Sequence, residues 1–120
     1  MTKPKVLVAR AIFPEVIDRL SEHFDITSNQ ADTVWTKTEL TEALRDKVGA
    51  FTTSSERIDA DVLAACPQLR IVANMAVGYN NFDIDAMTAR GVLATNAPDG
   101  LTETTADFGF ALLMATARRV

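Results

Sequence analysis

Cysteine, histidine and glycine are all scarce in this sequence, and each shortage removes a class of function. The single cysteine, Cys66, excludes an intramolecular disulfide framework and any metal site made of cysteine alone. The single histidine, His23, falls at the end of a predicted first helix, away from the edge where a ligand is expected. It is assigned a solvated role at the helix C-terminus rather than catalysis. The five glycines, Gly49, Gly78, Gly91, Gly100 and Gly109, never form a G-x-G-x-x-G or G-x-x-x-x-G-K pattern, so no phosphate-cradling loop is present. No apolar run approaches the ~18–20 residues of a spanning helix, and Met1-Thr2-Lys3-Pro4-Lys5 enters a short strand without a signal-peptide core. Twelve Lys+Arg against 16 Asp+Glu give a net charge of −4 with no basic stripe, which argues against nucleic acid and anionic membrane as partners. A soluble, reducing compartment, the cytoplasm, is expected.

What remains is a globular domain: 120 residues, 48% apolar and 23% charged, enough for one core and too few for two. Val6–Ala9 reads as a strand covered on both faces. Pro14 opens a helix to His23 with Val16, Ile17, Leu20 and Phe24 at helical spacing, and Phe24–Thr27 is a second strand. Thr36 and Glu39 form a capping-box pattern ahead of Leu40, Ala43 and Leu44. Ala50–Thr53 is a third strand, and Asp59 caps a helix carrying Val62, Leu63 and Cys66 that Pro67 ends. Leu69–Ala73 is a fourth strand, followed by a loop. Asp83 then caps a helix containing Ile84 and Met87, with Gly91 at its left-handed end. Val92–Thr95 is a fifth strand, Asn96-Ala97-Pro98-Asp99-Gly100 a turn, and Thr102 or Thr104 the expected cap of a last helix.

Five strand–helix units, joined by right-handed crossovers, predict a doubly wound parallel sheet with helices on both faces. The simplest order is the flavodoxin-like 2-1-3-4-5. The residues after the first strand, Arg10-Ala11-Ile12-Phe13, do not form a flavin-phosphate loop. Arg10 and Thr52-Thr53 also stand where a phosphoryl-accepting receiver needs acidic residues.

The last helix does not suit a self-contained domain. Phe108, Ala111, Leu112 and Ala115 lie on one side, and Phe110, Leu113, Met114 and Ala117 on the other. A helix that is apolar all round is buried on all sides. Each large side chain left in water forfeits ~1.5–3 kcal/mol, in a domain whose whole stability is ~5–15 kcal/mol. A second domain, a second copy, or both are therefore expected to cover it. The chain also stops on Ala117-Arg118-Arg119-Val120 without a turn or cap, and a longer natural protein is expected.

The functional candidate is Asn74-Met75-Ala76-Val77-Gly78-Tyr79-Asn80-Asn81-Phe82-Asp83, the loop at the carboxyl end of the fourth strand, where open α/β sheets bind ligands. A glycine after Val77 allows close approach and conformations that aim successive N–H groups one way, so the Val77 and Gly78 amides are assigned to a small carboxylate. Ser54 and Ser55 occupy the same edge and are available as ligand hydrogen-bonding groups or as turn residues. Asp83 and Asp99 read as a cap and a turn residue, and Cys66 as structural. No general base, nucleophile or metal ligand is assigned.

Three stretches together resemble the D-isomer-specific 2-hydroxyacid dehydrogenases, closest to their glyoxylate/hydroxypyruvate reductase branch. They are Asn74–Asp83, Gly91–Asp99, and Leu101-Thr102-Glu103-Thr104-Thr105-Ala106-Asp107 with the apolar helix and Arg118-Arg119. The resemblance spans the whole chain and is most specific from Asn74 onward. It implies a two-domain enzyme that reduces a small 2-oxo acid with NADH or NADPH. Residues 1–101 would be its substrate-binding (catalytic) domain, and 102–120 a helix leading into an NAD(P)-binding domain and a homodimer interface. In the family, amides matching Val77 and Gly78 hold the substrate carboxylate, residues around Ser54 line the cleft, and the threonine matching Thr105 contacts the cofactor. The family's catalytic arginine, glutamate and histidine have no counterparts in these residues, so the 120 residues alone are expected to be inactive. The competing expectation is a stand-alone flavodoxin-like binding and dimerisation module.

Overall fold

The structure is a computed structural model that describes residues 2–120. Its elements are β1 (Lys5–Val8), α1 (Pro14–Ser21), β2 (Asp25–Ser28), α2 (Lys37–Leu44), β3 (Gly49–Thr52), α3 (Ala60–Ala65), β4 (Ile71–Asn74), α4 (Ile84–Ala89), β5 (Leu93–Thr95) and α5 (Thr102–Arg118). All strand pairs are parallel, in the order β2-β1-β3-β4-β5, as the alternation predicts.

Local chemistry sets the boundaries. Proline occupies the first turn of α1. The Thr36 hydroxyl accepts from the Glu39 N–H while the Glu39 carboxylate accepts from the Thr36 N–H, a complete capping box. Asp59 and Asp83 cap α3 and α4 by accepting from the Val62 and Ala86 amides. Gly91 ends α4 at φ 67°, where the missing Cβ removes the left-handed penalty. Three strands start later than the apolar runs do. The Phe24 N–H turns back onto the Leu20 carbonyl, that of Leu69 onto Cys66 and that of Val92 onto Met87, so these residues belong to the turns that end the preceding helices. Neither Thr102 nor Thr104 caps α5. The helix already begins at Thr102, and Leu101 holds the cap position without a side-chain bond. The other end does have a cap: Arg119 is left-handed, and the Val120 amide reaches the Ala115 carbonyl.

One face of the sheet carries the core. Leu7, Ala50 and Val72 pack beneath Leu40 and Leu44 of α2, Val62 and Leu63 of α3 and Met87 of α4, all buried. Burial also pushes the Cys66 thiol pKa up, which suits a structural residue. The three rightward crossovers put α2, α3 and α4 on this face; the leftward β1–β2 crossover puts α1 on the other. Register places Val6, Phe51, Ile71, Ala73 and Leu93 on that second face. The expected two-sided cover is only partial there. No residue of α1 is buried, and α1 lies near β2, leaving Leu93 65% exposed.

Helix α5 leaves the sheet altogether. None of its residues is buried, and Phe108, Phe110, Leu112, Leu113 and Met114 are all exposed. The molecule measures 59 × 32 × 24 Å. The excess along its long axis is about that of 17 helical residues, ~25 Å. No helix is long and apolar enough to cross a membrane among the described residues.

Leu44→Ala is expected to cost ~2–5 kcal/mol, because it opens a cavity in the packed face. Leu93→Ala, on the open face, should stay within ~0.5 kcal/mol. Urea unfolding of both variants checks the asymmetry.

Candidate functional site

The carboxyl edge of the sheet is built on a buried polar network. Thr52 and Asn74 are register partners at the ends of β3 and β4, and both are buried. The Thr52 hydroxyl donates to Asn74 Oδ1 at 2.9 Å. Asn74 Nδ2 donates to the Gly78 carbonyl and to Asn81 Oδ1, both at 3.1 Å. Asn81 Nδ2 then donates to the carbonyls of Thr53 (3.1 Å) and Glu56 (2.8 Å). Main-chain bonds from Met75 to Thr52, from Ile58 to Asn81 and from Asp83 to Ile58 complete the stitching of the β4 loop to the β3 loop. No buried side-chain nitrogen or oxygen lacks a partner among the described residues. That completeness makes a polar interior rigid rather than destabilising.

The proposed anion loop sits on this base, and its peptide orientations follow from which carbonyls are held. A trans peptide is planar, so its N–H points opposite to its C=O. The Ala76 carbonyl accepts from the Ala97 N–H at 2.9 Å, which turns the Val77 N–H away from the β5 loop. The Val77 carbonyl accepts from Asn96 Nδ2 at 2.7 Å, which turns the Gly78 N–H the same way. The Gly78 carbonyl is held from a different side, by Asn74. Neither the Val77 nor the Gly78 N–H donates to any group among the described residues. Both residues are exposed.

The expectation for glycine at 78 is close approach of a ligand to the backbone, with successive N–H groups aimed one way. Gly78 does not lie in the left-handed region, and an added Cβ would meet nothing within 4 Å. The fold therefore has no need of glycine here. What a Cβ would occupy is space outside the chain.

Ser54 stands on the turn after β3, exposed and without a hydrogen bond among the described residues. Its neighbours are tightly fixed. The buried Glu56 carboxylate accepts from the Thr53 N–H (2.7 Å) and hydroxyl (3.0 Å). Arg10 donates to the Ser55 hydroxyl and to Asp32, each at 2.9 Å, and lies 4.0 Å from Glu56. The structure thus joins Val77, Gly78 and the Ser54 turn at one edge through Asn81. It does not bring Thr105 there: that residue lies on the exposed α5, with no hydrogen bond to the loop. A cleft of about 270 Å³ adjoins the loop, lined by Tyr79, Phe82, Ile84, Ala94, Thr95 and Asn96. His23 is exposed beyond α1, edge-to-face with Phe24, and far in the fold from this edge.

Sequence reasoning missed the supporting side chains Asn74, Asn81, Asn96 and Arg10. One signal was available: Asn74 is a polar residue closing an apolar strand, a position that folding buries. Nothing in the sequence paired it with Asn81.

The Arg10 guanidinium and the Ala11 amide hold the Asp32 carboxyl below the usual carboxylate range. A depressed native pKa gives stabilisation that is present above the ordinary range and lost as pH falls through the depressed value. Asp32→Asn keeps a residue that tolerates the left-handed φ of 57°. Its stability curve should lie below that of the parent near neutrality and converge with it in acid, as read from urea midpoints against pH.

Residues 6–119 match the family model for the D-isomer specific 2-hydroxyacid dehydrogenase, catalytic domain. The chain is 47% identical over 118 residues to the glyoxylate reductase of Thermococcus kodakarensis, covering 98% of this chain and 35% of that protein. It is 40% identical over 118 residues to glyoxylate/hydroxypyruvate reductase B of Klebsiella pneumoniae, covering 98% of this chain and 36% of that one. A solved structure of an NADPH-dependent glyoxylate/hydroxypyruvate reductase from Sinorhizobium meliloti, in complex with NADP and malonate, aligns with a TM-score of 0.70 and 35% identity. That alignment covers 96% of this chain and 34% of that one. The chain therefore spans about a third of the length of the relatives it matches. On its sequence and on the parallel sheet that presents the β4 loop, it belongs to the D-isomer specific 2-hydroxyacid dehydrogenase family, within the catalytic domain.

Proposed function

We propose that this chain is the substrate-holding part of an NAD(P)-dependent oxidoreductase that reduces a small 2-oxo acid, of the glyoxylate or hydroxypyruvate kind, to the 2-hydroxy acid. The observation that carries this reading is the pair of Val77 and Gly78 amides. Both are unclaimed by protein acceptors, while the carbonyls joined to them are anchored on one side. Two fixed N–H groups suit a carboxylate, since hydrogen bonds to a charged partner contribute ~1.5–3 kcal/mol each. Ser54 adds a hydroxyl from the neighbouring turn. The names of the relatives support the substrate class, and the malonate in the Sinorhizobium complex is itself a small carboxylate.

The dinucleotide is not held by these residues alone. They include no glycine-rich phosphate turn, and the one residue assigned to the cofactor, Thr105, stands on an unpacked helix. The share of this chain is placement of the oxo acid, the orientation part of catalysis. In this reading residues 1–101 are the substrate domain and 102–120 the helix leading into an NAD(P)-binding domain. The exposed Phe108, Phe110, Leu112, Leu113 and Met114 of α5 make a homodimer contact. The setting is the cytoplasm, consistent with one free cysteine.

Titration of the ¹⁵N-labelled chain with malonate or glyoxylate is expected to shift the Val77 and Gly78 amide resonances; no shift there at millimolar ligand would overturn the carboxylate assignment. Gly78→Ala should leave the fold intact, since its Cβ meets nothing, yet weaken binding about tenfold, ~1.4 kcal/mol, by filling the space of the ligand. Light scattering should report a dimer at micromolar concentration that Leu113→Glu converts to a monomer. A dimer that binds no carboxylate would favour a dimerisation module instead.

A further inference from the structure

We propose that Asn96 is a positioning residue for the anion loop: its side-chain amide latches the Val77 carbonyl and so aims the Gly78 N–H. The inference rests on the carboxylate reading above and extends it to a residue that does not touch the ligand. The peptide between Val77 and Gly78 is the soft point of the loop. It ends in a glycine, whose backbone has wide conformational freedom, and the position a Cβ would take there is open. Something must hold it, and the only group bonded to its carbonyl among the described residues is Asn96 Nδ2, at 2.7 Å. Because a carbonyl can accept only from a donor, the NH₂ end of the Asn96 side chain must face it.

The preceding peptide is fixed differently. Its carbonyl, on Ala76, is held by the main-chain N–H of Ala97, which no side-chain substitution removes. The two latches come from adjacent residues just beyond β5. That platform is stiffened by Pro98, which restricts Ala97 to extended conformations. One dipeptide therefore sets both N–H directions, one through its backbone and one through a replaceable side chain. Loss of the side chain frees the Gly78 amide and leaves that of Val77 in place.

Asn96→Ala and Asn96→Asp test this in the 120-residue chain. The first removes the donor without adding charge. The second keeps the shape but offers only acceptors until it is protonated. In weakly aligned samples without ligand, the N–H residual dipolar coupling of Gly78 should change in Asn96→Ala, and in Asn96→Asp at pH 7. Those of Val77 and of core residues Leu7 and Val72 should stay at parental values. Malonate affinity should fall about tenfold in both variants. For Asn96→Asp the ratio to the parent should recover as pH approaches ~4, where the new carboxyl gains a proton and can donate again. A purely structural role would give no such pH-dependent recovery. An unchanged Gly78 coupling in both variants, with parental malonate affinity, would overturn the role given to Asn96 and leave the carboxylate reading standing. No malonate binding by the parent chain would overturn the carboxylate reading and, with it, the function given to the latch.

Discussion

A peptide group cannot turn its carbonyl and its N–H to the same side, and that constraint organises the carboxyl edge of this sheet. The chain spends carbonyls at the β4 loop in order to present amides. Ala76 gives its oxygen to Ala97 and Val77 to Asn96, so the hydrogens on the far side of both peptides stay free. Free donors in an exposed loop are ordinary. Here two consecutive ones have their directions set from behind. Beneath them the Thr52–Asn74–Asn81 network carries the load into the strands, and every buried polar atom in it is satisfied.

The lower layer explains why the edge can be both polar and rigid. Asn81 reaches two carbonyls of the β3 loop, while Glu56 and Arg10 hold the same loop from its other flank. The Ser54 turn and the Val77–Gly78 turn thus sit on one scaffold, although 22 residues of sequence lie between Ser54 and Val77.

The distribution of apolar surface points the same way. One face of the sheet is closed by α2, α3 and α4, and the buried side chains concentrate there. The other face is half-covered, and α5 extends into solvent with five large apolar residues exposed. The relatives that this chain matches are about three times as long as the chain itself.

Strand alternation, the caps at Thr36, Asp59 and Asp83 and the left-handed Gly91 were legible because each rests on chemistry within about four residues. The sheet order followed from crossover handedness, and the two-sided apolarity of α5 was plain from spacing. The cap of α5 was misread because Thr102 is itself the first helical residue. By itself, then, the sequence determined the elements, their order and the position of the loop after β4, since these depend on local propensity and periodicity. Only the tertiary structure decided which asparagines hold that loop and where its hydrogens point. Asn74 meets Thr52, and Asn96 meets Val77, across strands that are neighbours in space and not in sequence.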